Sequence, residues 1–407
     1  MSPTGPAGRP RVAFVVNGAA GSAMGERAAA FAARLAGAYD IRLVHRDART
    51  LGAVRRMLRA VFAFRPAACY VFDLAAAGVA VAGLAKHLTG ARFVVDTGDA
   101  VVELGRALGR GRLGMLATRA LEAYALRAAA RVVVRGSYHR RLLAGRGVRA
   151  VFIPDGVDVD RFAPKEPPPA ADGPRPLVVG MVGSSVWVPT RNTCYGMELI
   201  EVVRRLRDRL PIRGVFIGDG SGIDMLKTRC REYGIADRVE FPGRIPYDEL
   251  PGWLRQFDIC LSTQTDDVIG WVRTTGKLPL YLAGGRFILA SRVGEAARVL
   301  PPEMLVEFHG PVDPDYPARL AERVVELVAR GTDFSYRPEC VALAREHFDY
   351  DRLAGRVAGV LADVLGRRRN GSPTRPEDRP CGPTGPESGR NGEKASIPDT
   401  VPGVSLR

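Results

Sequence analysis

Cysteine is scarce: Cys69, Cys194, Cys230, Cys260, Cys340 and Cys381 are scattered over 407 positions. That excludes a disulfide framework, and no two share the close spacing of a zinc site. The thiols read as reduced, in a cytoplasmic protein. Long hydrophobic runs are also lacking, with one exception at 67–85, where Asp73 is the only charge. Its length would allow a membrane span. But Cys69–Phe72 is a short β-branched and aromatic run and Ala75–Leu88 is Ala-rich, which reads as a buried strand followed by a packed helix. Met1–Arg11 has no apolar stretch of the kind a signal peptide carries. With 46% hydrophobic and 25% charged residues, the chain is neither mostly disordered nor a polytopic membrane protein.

The first part of the chain is short of acid. Residues 1–165 hold 26 Lys and Arg against 11 Asp and Glu, residues 166–366 hold 25 against 28, and residues 367–407 hold 8 against 5. The formal charge of +15 therefore originates almost entirely in the first part. A uniform arginine bias would have acted on both halves alike. Such a field suits an anionic membrane surface or a phosphate-bearing substrate. Nucleic acid is not expected, because no helix-turn-helix, zinc-finger or RNA-binding signature accompanies the charge.

Short apolar runs alternate with helical patterns. Strands are expected at Arg11–Val16, Ile41–His45, Cys69–Phe72, Arg92–Asp96, Arg131–Val134 and Val151–Ile153, with helices at Glu26–Leu35 and Leu51–Phe64. Pro164–Pro176 reads as a linker. The alternation then restarts with strands at Leu177–Val182, Arg213–Ile217, Val239–Phe241, Ile259–Ser262 and Phe287–Ala290, and closes on an amphipathic helix at Tyr350–Leu365. From Arg367 apolar residues almost vanish, and a disordered tail is expected over 367–407. The resulting division is a first α/β domain at 1–165, a second at 166–348, a last helix at 349–366, and the tail. Two α/β units with a linker place a ligand crevice between the carboxyl ends of two parallel sheets.

Several segments carry more than periodicity. Ile153-Pro154-Asp155-Gly156-Val157-Asp158-Val159-Asp160-Arg161-Phe162, Val179–Gly183, Phe216–Gly220, Arg238–Pro246, Ala283–Ser291 and Phe348–Arg352 occur in order. Together they resemble the GT-B glycosyltransferases of family 4 over about residues 10–366. The resemblance implies two Rossmann-like domains facing across a cleft, and a last helix that crosses back to the first. It implies a retaining transfer of sugar from a nucleotide-sugar donor on the second domain to a glycan or lipid-linked acceptor on the first, in cell-surface polysaccharide or glycolipid synthesis. No metal or other cofactor is expected, because basic side chains and a helix N-terminus take up the diphosphate charge in that family. The enzyme would be peripheral on the inner face of the cell membrane.

The chain departs from that family where the diphosphate is gripped. Ser184-Ser185 follow Gly183 where an arginine is usual, and Tyr195 replaces a lysine. The usual glutamate pair falls on Val272 and Leu280. In their place stands Arg273-Thr274-Thr275-Gly276-Lys277-Leu278-Pro279-Leu280-Tyr281, similar to a variant helix start in some exopolysaccharide-type enzymes. Arg273 and Lys277 would then supply the cations, and Thr275 and Gly276 the backbone N–H groups, of a substitute diphosphate cradle; Tyr281 closes that segment. Arg191 and Arg244 are further candidates for the phosphates, Asp219 and Gly220 for shaping the nucleotide pocket, and Gly294 and Glu295 for the donor sugar. On the first domain Gly18–Gly21 would face the donor, and Asp99 the acceptor, with Gly98 where many members carry histidine. His139 reads as part of a basic face. The glycine loop lacks dinucleotide spacing, which excludes a nicotinamide site. The missing Arg, Lys and Glu positions keep open an alternative, a catalytically impaired GT-B protein acting as a binding or scaffold subunit.

Overall fold

The computed structural model describes residues 8–164 and 175–366. The expected linker, except its edges, and the expected tail lie outside the described residues. The first lobe runs β1 (Arg11–Val16), α1 (Ala23–Leu35), β2 (Asp40–His45), α2 (Leu51–Phe64), β3 (Ala68–Phe72), α3 (Ala76–Thr89) and β4 (Arg92–Thr97). It continues through α4 (Val101–Ala107), α5 (Arg112–Ala128), β5 (Arg131–Val134), α6 (Ser137–Gly145) and β6 (Ala150–Phe152). After the short α7 (Val159–Phe162), the second lobe runs β7 (Leu177–Val182), α8 (Met197–Leu206), β8 (Ile212–Ile217), α9 (Ile223–Glu232), β9 (Val239–Gly243), α10 (Leu250–Leu254) and β10 (Ile259–Ser262). It ends with α11 (Val268–Trp271), α12 (Lys277–Ala283), β11 (Phe287–Ser291), α13 (Gly294–Val299), β12 (Leu305–Val306), α14 (Tyr316–Ala329) and α15 (Pro338–His347), followed by α16 (Tyr350–Val364).

Both sheets are six-stranded and parallel, in the orders β2-β1-β3-β4-β5-β6 and β12-β11-β10-β7-β8-β9. A parallel sheet is covered on both faces, so its strands are apolar throughout rather than alternating. β3 and β11 are buried at every residue. In each sheet the chain reverses direction beside its first strand, between β1 and β3 and between β7 and β10. The loops there diverge and leave a crevice at the carboxyl ends of the strands. The 67–85 run is β3 and α3, as expected, and among the described residues no helix is long and apolar enough to cross a membrane.

The two lobes are joined by two crossings that lie side by side. Val157 donates to Phe348 O (2.9 Å), and Tyr350 N–H donates to Val157 O (3.0 Å). α16 then packs on the first lobe. Its Tyr350, Leu353, Val357 and Leu361 share a core with Ala28, Phe31 and Leu35 of α1, and the Phe31 and Tyr350 rings meet edge to face at 5.4 Å.

Candidate functional site

Three cavities border the cleft. The first, about 320 Å³, lies at the end of β7 and holds Gly183 and Ser184, the Thr275-Gly276-Lys277 start of α12, Leu280, and Arg244 and Tyr247 beyond β9. Gly21, Glu26, Arg27 and Asp155 close it from the first lobe. The fold thus brings Gly21, Gly183, Arg244, Thr275, Gly276 and Lys277 together.

Lys277 is the notable group there. It is half-buried, has no hydrogen bond or ion pair among the described residues, and its ammonium lies 5.0 Å from the centre of the Tyr195 ring. Burial pulls its pKa down to about 8; Glu198 works against this and Arg273 with it. Gly183 takes φ +144°, a conformation that favours glycine, and lies beside Lys277: a Cβ there would be in ordinary contact with Lys277 Cε at 3.7 Å. Tyr195 thus serves as the platform under a lysine delivered from another element. Arg244 is exposed and reaches across the mouth to Gly21 O, with Asp219 4.0 Å behind it.

The structure places the other expected residues elsewhere. Arg273 Nε donates to Asp99 Oδ1 at 2.5 Å, an ion pair between the lobes, so neither side chain lines the Lys277 cavity. Burial works to raise the Asp99 carboxyl, but Arg273 and Arg135 outweigh it and hold it below the usual range. Arg191 pairs with Asp267 on the far side of Tyr195. Tyr281 is fully buried, and its hydroxyl accepts from Val182 N–H (2.7 Å), which fixes the end of β7. Glu295 is 1% exposed: Oε1 accepts from Ser137 N–H (2.5 Å) across the lobes and Oε2 from Arg298 (2.8 Å). Gly294 takes φ +63° beside Gly270 O. Gly220, at φ +130°, packs against Ser185 O, and Asp219 is exposed. Gly18 packs on Ser22.

Val272 and Gly98, both singled out in the sequence, have steric counterparts in the structure. Val272 is fully buried in an interlobe apolar contact with Ala100, and a Cβ on Gly136 would lie 2.2 Å from Val272 O. A Cβ on Gly98 would lie 2.7 Å from Arg135 Cζ, so Arg135 fills the space a histidine there would need. His139 is not on a basic face. It is buried beside Asp99, and burial pushes it down to about 4, leaving it neutral.

Sequence reading missed a buried ionic network under the cleft. Arg27 (1% exposed) donates to Asp96 Oδ2 (3.0 Å), Pro154 O (2.6 Å) and Ile153 O (3.0 Å). Tyr70 Oη donates to the same carboxylate oxygen (3.1 Å). Arg135 lies 3.2 Å from Asp96 and 3.5 Å from Asp155, and pairs with Asp73. An aspartate inside a buried strand was the available signal, since such a charge must be paired.

A second cavity, about 640 Å³, opens under α5 and is lined by Ala76, Leu104, Ala117 and Leu121, with Asp73 and Asp99 at one end. The third, about 170 Å³, lies across Tyr195 from Lys277. Among the described residues no group of three or more His, Cys, Asp or Glu is placed to hold a metal ion.

Residues 197–273 match the family model described as "Glycosyl transferases group 1". The chain is 32% identical over 125 residues to a GDP-mannose-dependent alpha-(1-6)-phosphatidylinositol monomannoside mannosyltransferase of Mycobacterium tuberculosis, covering 28% of this chain and 31% of that relative. It is 33% identical over 115 residues to the protein of the same name from Mycolicibacterium smegmatis, covering 26% of this chain and 28% of that relative. Among solved structures it resembles sucrose-phosphate synthase from Thermosynechococcus elongatus (TM-score 0.69, 14% identity, 88% of this chain and 100% of that one). It also resembles Anabaena HepE in complex with UDP and glucose (TM-score 0.65, 13% identity, 87% and 100%). These structural likenesses establish the fold.

Proposed function

We propose that this chain, a GT-B fold glycosyltransferase resembling family 4, transfers a sugar from a nucleotide-sugar donor, with retention of configuration, to a glycan or lipid-linked acceptor. One observation carries the reading: an unpartnered, half-buried lysine faces Gly183 in an interlobe cavity at the sheet's reversal point. Breaking the sugar–diphosphate bond leaves charge on a diphosphate oxygen. A cation already in place and poorly solvated stabilises that charge better than water does. Lys277 supplies the cation, and Thr275 and Gly276 line the same cavity. Arg273 and Asp99 act on lobe closure rather than on phosphate.

The acceptor belongs in the cavity under α5, where Asp73 and Asp99 meet an apolar wall. α5 exposes Leu113 (83%) and Leu116 (64%) beside exposed Arg112 and Arg119. That combination suits the surface of an anionic membrane, and the protein would work on its cytoplasmic face. The donor named for the mycobacterial relatives makes GDP-mannose the first to test, with UDP-sugars second.

The buried Val272 and the apolar Leu280 favour one other reading, a binding or scaffold subunit without turnover. The deciding experiment incubates the full chain with a panel of sugar nucleotides and lipid extract and follows nucleoside diphosphate release. Release dependent on one donor and slowed about tenfold or more by Lys277→Ala supports the enzyme. Tight donor binding without release across the panel supports the subunit.

A further inference from the structure

We propose that the 170 Å³ cavity behind Tyr195 is a binding site for a small apolar alcohol. It is built by the loops after β7, β10 and β12 and closed by the end of α4. Its walls include Val188, Ile269 and Phe308. Its floor is different. Glu198 Oε1 has no hydrogen-bond partner, and the Thr263 and Tyr316 hydroxyls have none beyond their weak approach to each other, although the three residues are only 7%, 5% and 1% exposed. The second Glu198 oxygen is already used, accepting from Gly196 N–H at 3.0 Å.

Three polar atoms buried at the bottom of an apolar hole are costly unless a ligand or water meets them. Their chemistry selects the ligand. A carboxylate oxygen only accepts, whereas the two hydroxyls can donate or accept. A bound hydroxyl satisfies both kinds: its O–H donates to Glu198 Oε1, and its oxygen accepts from Thr263 or Tyr316. An ammonium could donate but not accept, a carboxylate would face Glu198, and a hydrocarbon would meet none of the three.

Size and access agree. A cavity of about 150 Å³ takes benzene, so one six-membered ring with its hydroxyl arm fits here. Leu108, Val186 and Val312, exposed by 37%, 45% and 45%, all border this cavity and give it an apolar rim. The site is preformed. Arg191 spans two of its loops, pairing with Asp267 and donating to Pro311 O at 3.3 Å. None of this depends on the donor site.

The test titrates the full chain with benzyl alcohol, toluene and benzylamine by protein-observed NMR. Benzyl alcohol should bind one saturable site at least about tenfold more tightly than the other two, since each lacks part of the hydrogen bonding. Tyr316→Phe, or Thr263→Val should that variant not fold, should weaken the alcohol and leave toluene unchanged. Val312→Trp, which fills the mouth, should abolish binding. Nucleoside diphosphate affinity, measured on the same samples, should not move with any of these variants, which keeps this result separate from that of the donor site. Equal affinity for alcohol and toluene, no saturable binding, or alcohol binding that survives Val312→Trp would each overturn the proposal.

Discussion

Lys277→Ala tests the proposed donor site at its centre. Most buried cations have a carboxylate partner, and removing one orphans the other. Lys277 has none in contact, so its removal breaks no hydrogen-bonded pair; buried Glu198 loses only a more distant attractive charge, and the fold should survive. The loss then falls on the ligand. A charge-assisted contact contributes about 1.5–3 kcal/mol, which is roughly ten- to a hundredfold in diphosphate affinity and transfer rate. Lys277→Arg should recover part, because the guanidinium fork differs in reach from an ammonium. The pH dependence follows from a pKa pulled down to about 8. Diphosphate affinity should fall as pH rises through about 8, where the free lysine loses its proton. Stability should move the other way. Between about 8 and the unfolded value near 10.4 the unfolded chain binds more protons than the folded one, so stability from this group rises with pH there and is lowest below about 8. Lys277→Met should therefore melt above the parent near pH 7, with a gap that narrows toward pH 10. Calorimetric titration with GDP and UDP, and melting from about pH 6.5 to 10, give both readouts. A Lys277→Ala protein that binds diphosphate like the parent, or parental affinity flat through pH 8, refutes the reasoning.

Other expectations are independent of the donor. Asp99→Ala leaves Arg273 without its partner across the lobes; because the pair is partly exposed, about 1–2 kcal/mol should be lost, and small-angle scattering should show a more open particle. Gly98→Ala drives a Cβ into Arg135 and should cost about 1–3 kcal/mol, read as a lower Tm; an unchanged Tm would mean the network has room to shift. Tyr281→Phe should lose about 1 kcal/mol of stability, from the bond to Val182, while GDP and UDP affinity hold. The full chain should sediment with anionic but not neutral vesicles at low salt, and the double change Leu113→Ser with Leu116→Ser should weaken this; binding indifferent to both would remove α5 from the membrane reading.

The two-lobed α/β fold was legible because buried parallel strands are continuous apolar runs; β1, β7 and β10 stand within a residue of where the pattern puts them. α5 was not legible. It buries only Thr118 and Ala125, so it leaves almost no apolar period to read. At the site, Lys277, Gly183 and Gly21 share one cavity because each sits where a strand or helix end fixes it. Arg273, only four residues before Lys277, points to the other lobe instead. No spacing rule in one lobe encodes where the opposite lobe places Asp99. Arg27 and Asp155 were missed for the same reason, being 128 positions apart and meeting only once the first sheet has closed.

The return of α16 to the first lobe has a consequence for how the protein is made. The surface of α1 that carries Ala28, Phe31 and Leu35 is covered by residues at the far end of the chain. Between the end of β6 and the start of α16 lie roughly 200 residues, about 10–40 s of synthesis. During that interval the first lobe exists on the ribosome without its cover, an apolar face open to chaperones or to another nascent chain. The second lobe, whose sheet and core are complete before α16 emerges, should acquire protease resistance first. Nascent chains held on a flexible extension that clears residues up to 349 from the ribosome should therefore show a protected fragment from residues 175–348 and a first lobe still cut within α1, and chains that also expose residues through Val364 should protect both together.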